Sequence, residues 1–162
     1  GRYWVFAHNG DLKCFEPRLH GAFRPVGGTD SERAFCWLMQ ELAKAHASVP
    51  PIAELTATLR ELAPAAAHHG TFNFMLSNGQ ALWAHCSTHL HHLVRQHPFV
   101  QASLHDDDVT VDFATLTSAS DRVAIVVTEP LTKDETWSAF APGSWNTPIN
   151  AAGLPPTRPN EP

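Results

Sequence analysis

The spacing of apolar residues changes once along this chain, near residue 70, from a helical period to an alternating one. That change limits the fold to one combining helices with antiparallel strands. Upstream of it, Ala34, Phe35, Leu38, Met39, Leu42 and Ala45 recur on one helical face. They follow Thr29-Asp30-Ser31-Glu32, in which Thr29 and Glu32 stand at capping-box spacing. The pattern predicts a helix over about Ser31–His46. Pro50-Pro51 separates it from a second helix with the stripe Ile52, Leu55, Leu59 and Leu62. Pro64 is expected to end or kink that helix, and Gly70 to close the stretch.

Downstream, Phe72–Ser77, Asn78-Gly79 and Gln80–Cys86 read as a hairpin, since Asn and Gly tolerate positive φ. Further strands are expected at Phe99–Leu104, Val109–Phe113 and Val123–Thr128, with the acidic Asp106-Asp107-Asp108 as a solvated turn. One strand precedes the helices. Arg2–His8 is aromatic and β-branched, and Asn9-Gly10 is expected to close it in a tight turn. A strand this apolar should be buried mid-sheet, with sequence before it. The order strand, helices, antiparallel strands is an α+β architecture, with room for two stacked sheets. Six of the thirteen prolines fall between Pro142 and Pro162, so residues 146–162 are read as a Pro-rich irregular tail after a domain of residues 1–145.

Composition excludes several classes of function. A length of 162 residues, 43% of them hydrophobic and 17% charged, suits one domain with a real core. The formal charge of −5 argues against nucleic acid or an anionic membrane as partner. No apolar run is long enough to span a bilayer. Three cysteines do not make a disulfide scaffold, so a cytoplasmic setting is expected.

Four groups of residues could carry chemistry. Asn9-Gly10 could supply a side-chain amide and a backbone N–H to an oxyanion, or simply form a turn. Asp30, behind Gly27-Gly28, could hold a substrate ammonium, or cap its helix. His85, His89, His91, His92 and His97 include one metal-like spacing, His85-x-x-x-His89, but in a strand those two are far apart, nothing beyond nearby Cys86 completes a pattern, and no metal is expected. Cys14, Cys36 and Cys86 show no local signature of an activated thiolate and read as structural.

Taken in order, Trp4–Gly10, Phe23–Glu32, Phe35-Cys36-Trp37-Leu38, Phe72–Ser77, Cys86-Ser87-Thr88, Glu135-Thr136-Trp137 and Pro142-Gly143 form a familiar series. It resembles the class II (N-terminal nucleophile) glutamine amidotransferases, the stand-alone YafJ-like branch in particular, over about residues 2–145. The resemblance implies a four-layer αββα sandwich and a reaction without cofactor. An N-terminal cysteine attacks the side-chain amide of glutamine with its own α-amine as base; ammonia leaves, and water releases glutamate from the γ-glutamyl thioester. On the matching positions it makes Asn9 and Gly10 the oxyanion hole and Asp30 the carboxylate for the substrate's α-ammonium.

This chain begins at Gly1, whereas the family's nucleophile and its carboxylate-binding arginine lie upstream of the Asn-Gly strand. The expectation is therefore a sandwich incomplete at its N-terminus and inactive alone. Its partners would be glutamine or a γ-glutamyl substrate and the missing N-terminal segment, and uncovered sheet surface would favour a homo-oligomer. Two other readings stay open: a γ-glutamyl amide hydrolase of the same fold, and a non-catalytic domain that retains it.

Overall fold

A computed structural model describes residues 3–99, 101–106, 110–115 and 117–145, and the backbone of Ile149–Asn150. The first helix, α1 (Asp30–Ala45), starts where its capping residues place it: the Thr29 hydroxyl accepts from the Glu32 amide at 3.2 Å. The other half of the capping box is redirected, because the Glu32 carboxylate accepts from the Gly27 amide at 3.0 Å. Pro64, expected to end or kink the second helix, does not end it: α2 spans Ile52–Ala67. Proline forfeits only its own N–H, and its carbonyl still accepts from His68 at 3.0 Å, so the last turn forms.

The first strand, β1 (Val5–Leu12), pairs antiparallel with β2 (Gly70–Ser77). Next comes β3 (Ala81–His85), which pairs with β2 through the Asn78-Gly79 turn. Asn78 Oδ1 closes that turn by accepting the amides of Gln80 and Ala81, both at 3.0 Å, and Gly79 takes φ +81°. The second sheet is built from β4 (His91–Gln96), flanked by β7 (Arg122–Val127) and β8 (Ser138–Ala139). A separate hairpin joins β5 (Gln101–Ser103) and β6 (Thr110–Asp112), followed by a 3-10 turn over Phe113–Thr115. Last, β9 (Ile149–Asn150) pairs with β3, making the first sheet β1-β2-β3-β9.

Alternation along β2 joins the layers. Phe72, Phe74 and Leu76 face the helices and are buried against Leu38, Leu42, Leu55 and Leu59. Each such side chain contributes roughly 1.5–3 kcal/mol. Trp83 is fully buried there, its indole N–H donating to Thr56 Oγ1 at 2.9 Å. Met75 and Ala84 point the other way, against Leu90, Val126 and Phe140 of the second sheet and its flanks. The described residues thus stack as helices, first sheet, second sheet.

A further expectation is corrected. Asn9-Gly10 is not a turn: β1 runs through it to Leu12, held by the register Asn9↔Asn73 and Gly10↔Phe72. Among the described residues β1 is the sheet edge, with Val5, Asn9, Gly10 and Asp11 exposed. The strand β4 was not foreseen, since two histidines, an arginine and a glutamine mask its alternation. Asp107, Asp108, Val109, Val100 and residues 146–162, apart from the backbone of Ile149–Asn150, lie outside the described residues, and with them the expected acidic turn and tail.

Candidate active site

The open end of β1 is shaped by a close approach of backbones. A Cβ at Gly10 would lie 1.9 Å from the Thr71 carbonyl oxygen, and one at Gly70 would lie 2.0 Å from that of Asp11. Only glycine at both positions lets β1 and β2 close here. The Leu12 amide donates outward, to Asp30 Oδ2 at 2.8 Å, while the next amide, Lys13, donates inward to His69 O at 2.9 Å. Strand amides alternate in direction, so the Gly10 N–H shares the outer edge with that of Leu12. The Gly10 N–H and the Leu12 N–H bound by Asp30 therefore lie along one edge of β1.

Asp30 is the first residue of α1, not its cap. Oδ2 takes the Leu12 amide and Oδ1 the Ser31 amide, each at 2.8 Å. A carboxylate offers about four acceptor sites, so both oxygens keep capacity for a ligand. Burial alone would raise the Asp30 carboxyl, but the two amides and nearby His8 outweigh it and hold the group below the usual range. His8 ties the same corner together. Its Nε2 donates to Thr71 O at 3.0 Å, and its Nδ1 meets Ser31 Oγ at 2.9 Å. Because a carbonyl only accepts, Nε2 is the donor in the bond to Thr71.

Asn9 points to the other face, toward the second sheet, where its Nδ2 donates to Thr128 Oγ1 at 3.3 Å. It lines a cleft of about 350 Å³ between the sheets, whose walls include Met75, Leu90, Val126, Thr128, Glu129 and Leu131. Beneath it Asn73 is buried. Its Oδ1 accepts the amides of Ser87 (2.9 Å) and Thr88 (3.1 Å), and its Nδ2 donates to Thr88 Oγ1 (2.8 Å). The Ser87 hydroxyl in turn accepts the Phe72 amide at 2.7 Å. Asn73 thereby fixes the turn after β3 and the floor of the cleft.

The remaining candidates are elsewhere. Among the described residues no group of three or more His, Cys, Asp or Glu is placed to hold a metal. His85 is buried, donates Nδ1–H to Phe72 O at 2.7 Å, and is kept neutral by desolvation. His91 bonds Thr128 O at 3.0 Å, and His89 meets the exposed Glu129 at 3.3 Å. Burial pushes the thiols of Cys36 and Cys86 up, the opposite of activation, and Cys14 is exposed in a turn at φ +56°. The sequence reading missed His8, Ser31, Asn73 and Thr128. One signal was available for Asn73: a polar residue between Phe72 and Phe74 on a strand covered on both faces needs partners.

Residues 1–152 match the family described as glutamine amidotransferases class-II. A protein named "Putative glutamine amidotransferase YafJ" from Escherichia coli K12 is 43% identical over 146 residues, 90% of this chain and 57% of that protein. A "Putative glutamine amidotransferase" from Haemophilus influenzae is 42% identical over 145 residues, 90% of this chain and 49% of its own length. The crystal structure of a predicted glutamine amidotransferase from Pseudomonas aeruginosa PA01 superposes with a TM-score of 0.84 at 40% identity, covering 95% of this chain and 60% of that one. The chain spans about half the length of the curated relatives it matches.

Proposed function

Because this chain belongs to the class II glutamine amidotransferases, we propose that it carries the oxyanion- and ammonium-binding part of a site that hydrolyses the glutamine side-chain amide to glutamate and ammonia. In this reading the nucleophilic cysteine lies outside these 162 residues. The fold is then a four-layer αββα sandwich, of which the helices and two stacked sheets described above form part. The chemistry suits a cytoplasmic protein.

The observation that carries the proposal is the outer edge of β1, where the Gly10 N–H lies two strand residues from the Leu12 N–H that the Asp30 carboxylate accepts. Two strand residues span about 6.6 Å. Extended glutamine sets its amide carbon about 5 Å from its α-nitrogen, so one molecule reaches both groups along this edge. The cysteine thiolate attacks the amide carbon, and the developing oxyanion is held by the Gly10 N–H and by one hydrogen of Asn9 Nδ2, the other remaining on Thr128. Ammonia departs with a proton from the cysteine's own α-ammonium. Water then attacks the thioester, releasing glutamate and the free thiol.

One structural feature favours a second reading, hydrolysis of a substituted γ-glutamyl amide. The apolar cleft beside Asn9, about 350 Å³, is far larger than ammonia requires. Incubating the complete protein with glutamine and with a panel of γ-glutamyl amides, while following glutamate release, separates the two. Release from glutamine supports the first reading, release only from substituted amides the second, and release from none contradicts both. These 162 residues alone should release nothing.

A further inference from the structure

Glu135-Thr136-Trp137, one of the sequence blocks that carry the family resemblance, makes no hydrogen bond to Asn9 or Asp30, yet it is firmly bonded into the flank of the second sheet. Arg95, on β4, grips Glu135 in a two-bond fork, Nε to Oε1 at 2.8 Å and Nη2 to Oε2 at 2.6 Å. The two side chains are 15% and 9% exposed. Glu135 also accepts from the Thr132 hydroxyl at 2.7 Å, and that hydroxyl accepts from the Trp137 indole at 3.0 Å. The Arg95 guanidinium lies 4.1 Å from the centre of the Phe113 ring. A charge pair this desolvated is strong only when its geometry is kept.

What the network holds is the segment between β7 and Glu135. From the other side, the β5–β6 hairpin binds it: Lys133 N donates to Ser103 O at 3.1 Å, His105 N to Leu131 O at 2.8 Å, and Ser103 N to the Asp134 carboxylate at 2.9 Å. At its start, Thr128 receives Asn9 Nδ2 on its hydroxyl and His91 Nδ1 on its carbonyl. Glu129 and Leu131, further along, line the cleft. The segment is anchored at its far end by Arg95 and meets Asn9 at its near end.

We propose that Arg95, Glu135 and Thr132 are positioning residues: they set the segment 128–132 so that the Thr128 hydroxyl orients the Asn9 side-chain amide. The inference rests on the oxyanion role of Asn9 given above. Neither Arg95 nor Glu135 touches substrate, and their effect passes through Thr128. A charged fork is suited to this task because lysine or glutamine at either end keeps bulk and loses direction.

Two readouts test it. In the complete protein, the Asn9 side-chain NH2 signals in a ¹⁵N–¹H spectrum, identified by their loss in Asn9→Ala, should move in Glu135→Gln, in Thr132→Val and in Thr128→Val, but not in the surface control Lys44→Ala. Unmoved Asn9 signals in the first three, with the rest of the spectrum folded, overturn the proposal; Thr132→Val, nearly isosteric, answers if Glu135→Gln does not fold. In the complete protein, Glu135→Gln should lower kcat roughly 10-fold to 100-fold with KM within about twofold. The same substitution added to Asn9→Ala should cost nothing further. An equal loss in both backgrounds makes the fork merely structural and overturns the proposal. If instead Asn9→Ala itself leaves kcat unchanged, the oxyanion reading fails, which the spectral shifts do not depend on.

Discussion

Asn9 and Asn73 are partners across β1 and β2, and the two side chains meet opposite fates on the same face of the sheet. Asn73 is buried, with both polar atoms of its amide engaged by Ser87 and Thr88. Asn9 is exposed and holds one long bond, 3.3 Å, to Thr128. A side chain so lightly committed is free to take a ligand, and its neighbour supplies the fixed floor on which it stands.

That contrast predicts different failures. Asn73→Ala leaves the amides of Ser87 and Thr88 without their acceptor and should destabilise the fold by about 2–3 kcal/mol. Asn9→Ala should leave stability within about 0.5 kcal/mol. Urea denaturation midpoints of the two variants check both statements.

Gly10→Ala forces a methyl into the Thr71 carbonyl, so β1 and β2 must part at the site. The expected cost is about 1–3 kcal/mol. Amide exchange should report it as faster opening confined to the Gly10–Leu12 and Gly70–Phe72 pairs.

The Glu135 carboxyl is held below its ordinary range by the Arg95 guanidinium first, against the opposing effect of burial. Its folded value is depressed, so its contribution is present above the ordinary glutamate value and lost as pH falls through the folded one. Glu135→Gln should therefore be less stable than wild type by about 3 kcal/mol at pH 7, because Arg95 is left buried and unpaired. The gap should narrow steadily below about pH 4.3. Thermal unfolding of both proteins between pH 7 and pH 3 measures it.

Asp30 is likewise held low, so it stays charged through the mildly acidic range. Removing it should remove a binding partner for an ammonium and one acceptor for the Leu12 amide. Asp30→Asn should raise the KM for glutamine in the complete protein at all pH values between 5 and 8, by roughly 10-fold or more. Steady-state kinetics across that range test it.

Much of the scaffold could be read from the residues in order. The α1 stripe and its Thr29 cap were legible because both are local, as was the Asn78-Gly79 hairpin. Pro64 misled because a proline's penalty depends on whether the turn around it packs, which Ala63 and Ala66 do. Asn9-Gly10 misled for a related reason. The dipeptide favours a turn in isolation, and only its register against the distant Phe72 and Asn73 of β2 makes it strand. The placement of Asp30 was not legible, since its bond to Leu12 joins parts of the chain that local spacing cannot connect. Thr128, Arg95 and Glu135 converge through the pairing of β4 with β7, whose first member the sequence pattern concealed.

The central claim is that the outer edge of β1 binds glutamine, with Asn9 and Gly10 at its amide oxygen and Asp30 at its ammonium. The most direct measurement is kcat and KM for glutamine in the complete protein, compared with its Asn9→Ala and Asp30→Ala variants. The account predicts a kcat lowered roughly 10²–10³-fold by Asn9→Ala, with KM little changed, and a raised KM as the main effect of Asp30→Ala. Kinetics left unchanged by either substitution would contradict it.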